Sequence, residues 1–374
     1  MFFQSQLSNQ LTFFQKIKSI DYILLLCVLV IGVISGFAMY ISDGGELLYH
    51  TKSHLIRFSV FFLMMFFLSF INIKTWHKTG YLFYIIVLML LVWASLYGIT
   101  VSGSQRWINL YFINFQPSEL MKIAIIVCFA KYYNRMQLTN VNKFNNLLIP
   151  LVILVLPIIL VISQPDLGTS ILIALSGIIV LWLAGVNLKY FFYSSLILLI
   201  SAPFAISFLK PYQKLRILTF FDPDKDPLGA GYQIIQSKIA VGSGGLFGKG
   251  FLKGTQGYLE FLPEKHTDFI FTLYSEEFGF IGSILLLLVY AVLIIRILKI
   301  GSLSRSFFGK FFCYGFGSAI FIYIIVNMSM VLGLLPIVGS PLPIMSYGGS
   351  SMLATMIGLG IVMSTKIYER QLIA

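Results

Sequence analysis

FLKGTQGYLEFLPEKHTDFIFTLYSEEFG, residues 251–279, runs from a polar stretch straight into an apolar helix. Asp268 sits at that junction, where water meets lipid. Two readings are open for it. A carboxylate in a first helical turn offsets the helix dipole and can cap free N–H groups. The same carboxylate is also placed to touch a lipid-borne ligand while its head stays hydrated. At about 100° per residue, Thr272, Ser275 and Gly279 follow Asp268 on one narrow face, with Glu276 beside it and Glu277 opposite. A polar stripe on a membrane helix faces protein or a wet cavity, not lipid.

Outward from this stretch, the chain is overwhelmingly apolar. Of its 374 residues 58% are hydrophobic and only 11% charged, the composition of a polytopic membrane protein. Apolar runs fall at about 21–41, 55–72, 79–99, 117–134, 147–163, 168–186, 190–208, 268–298, 311–335 and 350–367. Each is near the roughly 20 residues that cross hydrocarbon. The expected fold is all-α and polytopic, with about ten transmembrane helices and a large extracytoplasmic loop, 209–267, between the seventh and eighth. No soluble domain boundary or repeat interrupts 1–374, so a single domain is expected. The first run is too long for a cleavable signal.

Lys and Arg set the expected orientation. Lys16, Lys18, Lys74, Lys78, Lys131, Arg135, Lys143, Lys189, Arg296, Lys299, Arg305, Lys310, Lys366 and Arg370 fall in one set of short segments; the opposite set holds Lys52, Arg57 and Arg106. The rich side is cytoplasmic, which puts both termini inside. The net charge of +12 points to anionic lipid or phosphate, and no nucleic-acid partner is expected. Cys27, Cys128 and Cys313 lie in apolar runs without metal spacing and read as small core residues.

Charges inside or abutting spans are few. Glu119 and Lys122 lie three apart after Pro117, hence on one helix face. They are either a neutralising ion pair or a device in which Lys122 holds an anionic group that Glu119 positions. Arg106, beside Trp107, is either a snorkelling belt residue or a planar fork for phosphate. Asp166, in Gln164-Pro165-Asp166, suits a turn or helix cap. The alternating Asp222, Asp224 and Asp226 lack the Gly and Glu of a calcium loop, and Pro-fixed turns explain them better. Gln233, Gln236, Ser237 and Lys238 suggest a short re-entrant or interfacial helix with polar contacts. The glycine-rich run 242–250 departs from a nucleotide-binding loop around Lys249. Its glycines either open backbone N–H groups to a phosphate or make a flexible loop. The Gly, Pro and Ser of 339–351, around Ser346, imply non-helical backbone at membrane depth, which must be buried or line a cavity; Asn327 is positioned to satisfy its freed groups.

The runs SGSQRWI, FQPSELMK, QPDLGTS, DPLGAGYQIIQSKIAVGSGGLFGKG, FLPEKHTDFIF and GSPLPIMSYGGSS together resemble the SEDS family of shape, elongation, division and sporulation proteins. Gly254-Thr255-Gln256 resembles its elongation branch more than its division branch. The resemblance covers nearly the whole chain. It implies a peptidoglycan glycosyltransferase of the bacterial cytoplasmic membrane that polymerises lipid II. The partners it implies are a class B penicillin-binding protein and other elongation-complex membrane proteins. By motif position the essential carboxylate falls on Asp268, a general base, and the membrane pair on Glu119 and Lys122. Arg106, Asp166, Gln236, Ser237, Lys249, His266 and Ser346 are the further substrate-binding candidates. A divalent ion, Mg or Mn, would suit the pyrophosphate leaving group, although the sequence shows no ligand cluster. The rival classes are a lipid II flippase and a non-catalytic scaffold. Polar groups concentrated at the outer ends of the spans favour chemistry over transport.

Overall fold

Apolar runs in hydrocarbon must satisfy their own backbone hydrogen bonds, and helices do so within one segment. The computed structural model describes residues 12–101, 104–109, 114–207, 209, 211–223, 226, 229–255 and 264–373. Its helices are α1 Phe13–Lys18, α2 Tyr22–Ser42, α3 Tyr49–Ser69, α4 Ile73–Tyr97, α5 Pro117–Tyr133, α6 Leu138–Val141, α7 Phe144–Ser163, α8 Leu167–Leu183, α9 Leu188–Ser207, α10 Pro211–Phe221, α11 Ala230–Ser243, α12 Ile270–Leu303, α13 Phe307–Val331 and α14 Gly349–Ile367. Seven of them, α2, α3, α4, α7, α12, α13 and α14, are long and apolar enough to cross a membrane. α5, α8 and α9 stand at the other three expected spans. The protein is an all-helical, multi-span membrane protein. Asp224, Lys225 and Pro227 of the expected turn, Ser102 and Gly103, and Gln256 lie outside the described residues.

The bundle is built around α5. Every residue from Pro117 to Ala130 is buried, and the helix packs against α4, α8, α13 and α14. A helix apolar on all sides belongs in the middle of a membrane bundle. Its two internal charges therefore face protein. Cys27, Cys128 and Cys313 are buried and free.

A small antiparallel sheet, β1 Ile99–Val101, β2 Ser104–Asn109 and β3 Asn114–Phe115, leads from α4 into α5. The sequence reading had no strand here. The pairing fixes Arg106 and Trp107 on a ladder rather than on a free interfacial loop.

Gly279 breaks α12, with φ +66 and ψ −162. A Cβ there would stand 2.3 Å from Gly248 N and 2.7 Å from Leu246 O. The glycine-rich loop docks at this break: Phe280 N donates to Gly245 O, and Ile281 N to Leu246 O. Lys249 N and Gly250 N donate to Glu276 O and Glu277 O. The glycines thus serve close backbone packing rather than a phosphate cradle or a loose loop. Residues before the break are buried. After it, Leu286, Tyr290, Leu293, Ile297 and Ile300 face the bundle, while Leu285, Leu288, Val292 and Ile295 are exposed.

Between α13 and α14 the chain is non-helical, as the Gly, Pro and Ser content implies. Asn327 Nδ2 donates to Ser340 O at 2.7 Å and to Asp268 O at 2.9 Å. One side chain therefore ties this run to the Asp268 turn. Gly168 lets α8 approach: a Cβ there would lie 2.1 Å from Val338 O.

Candidate active site

The helix starts converge. Gln116 is the N-cap of α5, Asp166 of α8 and Gly348 of α14, while Asp268 lies two residues ahead of α12. Between them opens a cavity of ≈ 580 Å³ whose lining includes Arg106, Gln116, Glu119, Asp166, Asp268 and Ser350. Four helix N-termini directed at one space favour an anionic occupant.

Asp166 is a junction. Its Oδ1 accepts from Thr169 N at 3.2 Å, which caps α8 as the sequence suggested. Its Oδ2 accepts from Arg106 Nη1 at 2.7 Å and from Gln116 Nε2 at 3.2 Å. The cap therefore also fixes the Arg106 guanidinium. Arg106 Nε is buried with no hydrogen-bond partner among the described residues. An unsatisfied charged donor in a polar cavity is a ready anion contact.

Glu119 and Lys122 form an ion pair at 2.8 Å, with side chains 8% and 4% exposed. The Lys122 ammonium also stands 4.5 Å from the centre of the Tyr323 ring. Glu119 reaches the cavity; Lys122 lies behind it, outside the lining.

Asp268 differs from these groups. The N-cap of α12 is Phe269, with no side-chain cap bond, so Asp268 precedes the helix instead of starting it. Among the described residues no hydrogen bond or ion pair engages its carboxylate, although it lines the cavity. Burial, and then the neighbouring Glu264, push its carboxyl up to about 7, while Arg216 and Arg106 pull the other way. A group poised near neutrality can take and release a proton.

The remaining sequence candidates stand elsewhere. Ser237 is buried between helices, bonded to Thr272 Oγ1 at 2.9 Å and donating to Val331 O at 2.8 Å. Gln236 is half-buried on α11, outside the lining, whereas Gln233 one turn earlier is in it. Lys249 pairs with Glu276 at 2.6 Å under the glycine loop. Glu277 Oε2 accepts from Leu252 N, so both carboxylates clamp that loop, and Glu276 does not share a cavity face with Asp268. Ser346 Oγ accepts from Leu342 N and shapes the non-helical run. His266 contacts Ser42 and Asp43 beside the cavity. Conversely, Gln116, Gln213, Arg216, Gln233 and Glu264 line the cavity and were not singled out as site residues. Gln116 sits inside FQPSELMK, where its place just before Pro117 was the available signal.

The fit of a divalent ion follows from these partners. Among the described residues the cavity carboxylates do not gather three ligand atoms at one point. Glu119 is committed to Lys122 and Asp166 to Arg106.

The family model described as Cell cycle protein, covering FtsW, RodA and SpoVE, matches residues 16–371. Over 365 residues the chain is 41% identical to the peptidoglycan glycosyltransferase MrdB of Escherichia coli K12, across 97% of this chain and 98% of that protein. The chain belongs to the SEDS family. Its fold is similar to a chain of a peptidoglycan synthase complex described as coordinating polymerization and crosslinking, with TM-score 0.81 and 28% identity over 94% of this chain and 99% of that one. The rod shape determining protein RodA of Thermus thermophilus shares the fold, with TM-score 0.72 and 23% identity over 94% and 98%. In this SEDS chain, SGSQRWI, FQPSELMK, QPDLGTS, DPLGAGYQIIQSKIAVGSGGLFGKG, FLPEKHTDFIF and GSPLPIMSYGGSS all contribute to the lining of this cavity.

Proposed function

We infer that the chain is a peptidoglycan glycosyltransferase that polymerises lipid II, with Asp268 as the general base. The observation that carries this reading is the convergence of six separate sequence motifs on one cavity whose Asp268 carboxylate has no partner among the described residues. The acceptor sugar hydroxyl attacks the anomeric carbon of the donor. The new C–O bond forms as the bond from that carbon to the pyrophosphate oxygen breaks, and the electron pair leaves with the pyrophosphate. The hydroxyl proton passes to Asp268. A single displacement inverts the anomeric centre, and a pyrophosphate leaves without help from an acid. Arg106 and Arg216 are the cavity cations placed to receive its charge. Lys122 acts from behind the lining, by pairing with Glu119 and fixing its position.

The same reading places both termini in the cytoplasm and opens the cavity to the outer face. It assigns a class B penicillin-binding protein as the crosslinking partner. Cysteines replacing the exposed Lys253 and Lys143 test the orientation: an impermeant reagent added outside should modify the first and not the second. The activity is tested with the purified chain, lipid II and a class B partner, resolving glycan products on gels. Absence of strands from well-folded protein with its partner bound would overturn the assignment.

A further inference from the structure

Beside the cavity, and separate from its lining, lies a second group of ionisable side chains: Asp43, His50 and His266. They come from three places in the chain. Asp43 is the C-cap of α2, and Gly44 and Gly45, at φ +76 and +84, turn the chain back into α3. His50 lies in the first turn of α3. His266 belongs to the turn that carries Asp268 two residues later.

The three side chains converge on one point. Asp43 Oδ1 stands 3.4 Å from His50 Nδ1 and 3.9 Å from His266 Nδ1. One ligand atom from each residue lies within 4.8 Å of the others. Ligands about 2.0–2.1 Å from a tetrahedral zinc stand about 3.3 Å apart, close to the separations of Asp43 from the two histidines. Asp43 Oδ2 accepts from Thr51 N at 2.9 Å and from Thr51 Oγ1 at 2.6 Å. That leaves Oδ1 aimed at the imidazoles, the kind of outer support that orients a ligating carboxylate. Both Nδ1 atoms face Asp43 Oδ1. The rings stack, with centroids 4.0 Å apart and planes 19° apart, so one imidazole rotates about its χ2 to bring both in-plane lone pairs onto one ion. His266 Nδ1 also meets Ser42 Oγ at 2.8 Å, a hydroxyl that a bound ion would displace.

We propose that Asp43, His50 and His266 form a binding site for one zinc ion, distinct from the cavity and independent of the reaction assigned to it. Two imidazoles and a carboxylate suit zinc; magnesium prefers an all-oxygen shell with several waters. The Asp43 side chain is 2% exposed and His266 17%, while His50, at 41%, leaves one side open for entry and for a water as fourth ligand. The ion staples the α2–α3 turn to the Asp268 turn. It also steadies the cavity wall, because Tyr347 donates its amide to His266 O at 2.9 Å and sets its ring edge-on to His50, with centroids 5.3 Å apart.

The test uses the full-length chain in detergent, freed of any affinity tag and stripped with a chelator. Zinc is titrated against a chromophoric chelator, and cobalt is added separately to read its visible absorption. The parent should take up one equivalent of zinc, and cobalt should give a tetrahedral-type spectrum. His50→Ala and the isosteric Asp43→Asn should each weaken zinc binding by about 10-fold or more. Zinc should raise the unfolding temperature of the parent and not that of His50→Ala, whose metal-free unfolding should match the parent. No stoichiometric uptake by the parent, equal affinity after His50→Ala, or displacement of zinc by equimolar magnesium would each overturn the site.

Discussion

The starts of α5 and α12 both bring a carboxylate to the same cavity, yet they treat it in opposite ways. Glu119 lies inside the first turn of α5, and Lys122 one turn on neutralises it at 2.8 Å. Asp268 lies ahead of α12, and no side chain of the described structure neutralises it. The buried pair is a fixed feature of the bundle. The unpaired group keeps both its lone pairs and its proton affinity available. Proximity to a cavity therefore does not by itself separate the two carboxylates; the absence of a partner does.

The largest effect tests the unpaired group. Asp268→Asn keeps the size, and Asp268 is not a cap, so stability should change little. Polymerisation of lipid II with the partner bound should fall by roughly 10²–10⁴-fold, the contribution of a positioned general base. Near-normal glycan strands from the folded variant would remove the contrast between the two helices.

Next comes the paired group. Lys122→Met leaves Glu119 buried and uncompensated, a change on the order of 3–5 kcal/mol when a buried pair is broken. Thermal unfolding in detergent should show the loss, with polymerisation reduced. The double variant Glu119→Gln with Lys122→Met should recover most of the stability. Recovery of activity as well would mean that the pair only neutralises.

A smaller effect is expected at Asn327, which ties the Asp268 turn to the non-helical run. Asn327→Ala leaves one buried and one partly buried carbonyl without their donor and should cost about 1–3 kcal/mol of stability, with a partial loss of activity from a loosened turn. The smallest is expected at Ser237, which bonds only within the helix packing. Ser237→Ala should cost about 1 kcal/mol and leave polymerisation nearly unchanged. A large activity loss there would place α11 in the reaction.

The membrane fold was legible because hydrocarbon imposes a length and a composition on every span. The run after α13 was legible for a similar reason, since Gly, Pro and Ser at that depth exclude a helix, and Asn327 does satisfy one of its freed carbonyls, that of Ser340. What failed was angular reasoning that started from Asp268. Asp268 lies ahead of α12, whose N-cap is Phe269, so a helical phase counted from it placed Glu276 on the wrong side. The sheet at Ile99 to Phe115 was missed because its strands are short and mix polar with apolar residues, leaving no clear alternation. Asp43, His50 and His266 could not be grouped at all. Their proximity is a product of helix packing, and no local spacing encodes it.

The break at Gly279 also separates two mechanical duties. Unbroken, the 34 residues of α12 would make a rod about 50 Å long, well beyond a hydrocarbon core of roughly 30 Å. As built, the segment ahead of the break is clamped by Glu276, Glu277 and the docked loop, and only the segment behind it presents an apolar face outward. A bilayer that thickens or thins will tilt the outward-facing part. The clamped part, and the carboxylate just before it, is insulated from that movement, so the enzyme can meet membranes of differing thickness without retuning the place where bonds are made.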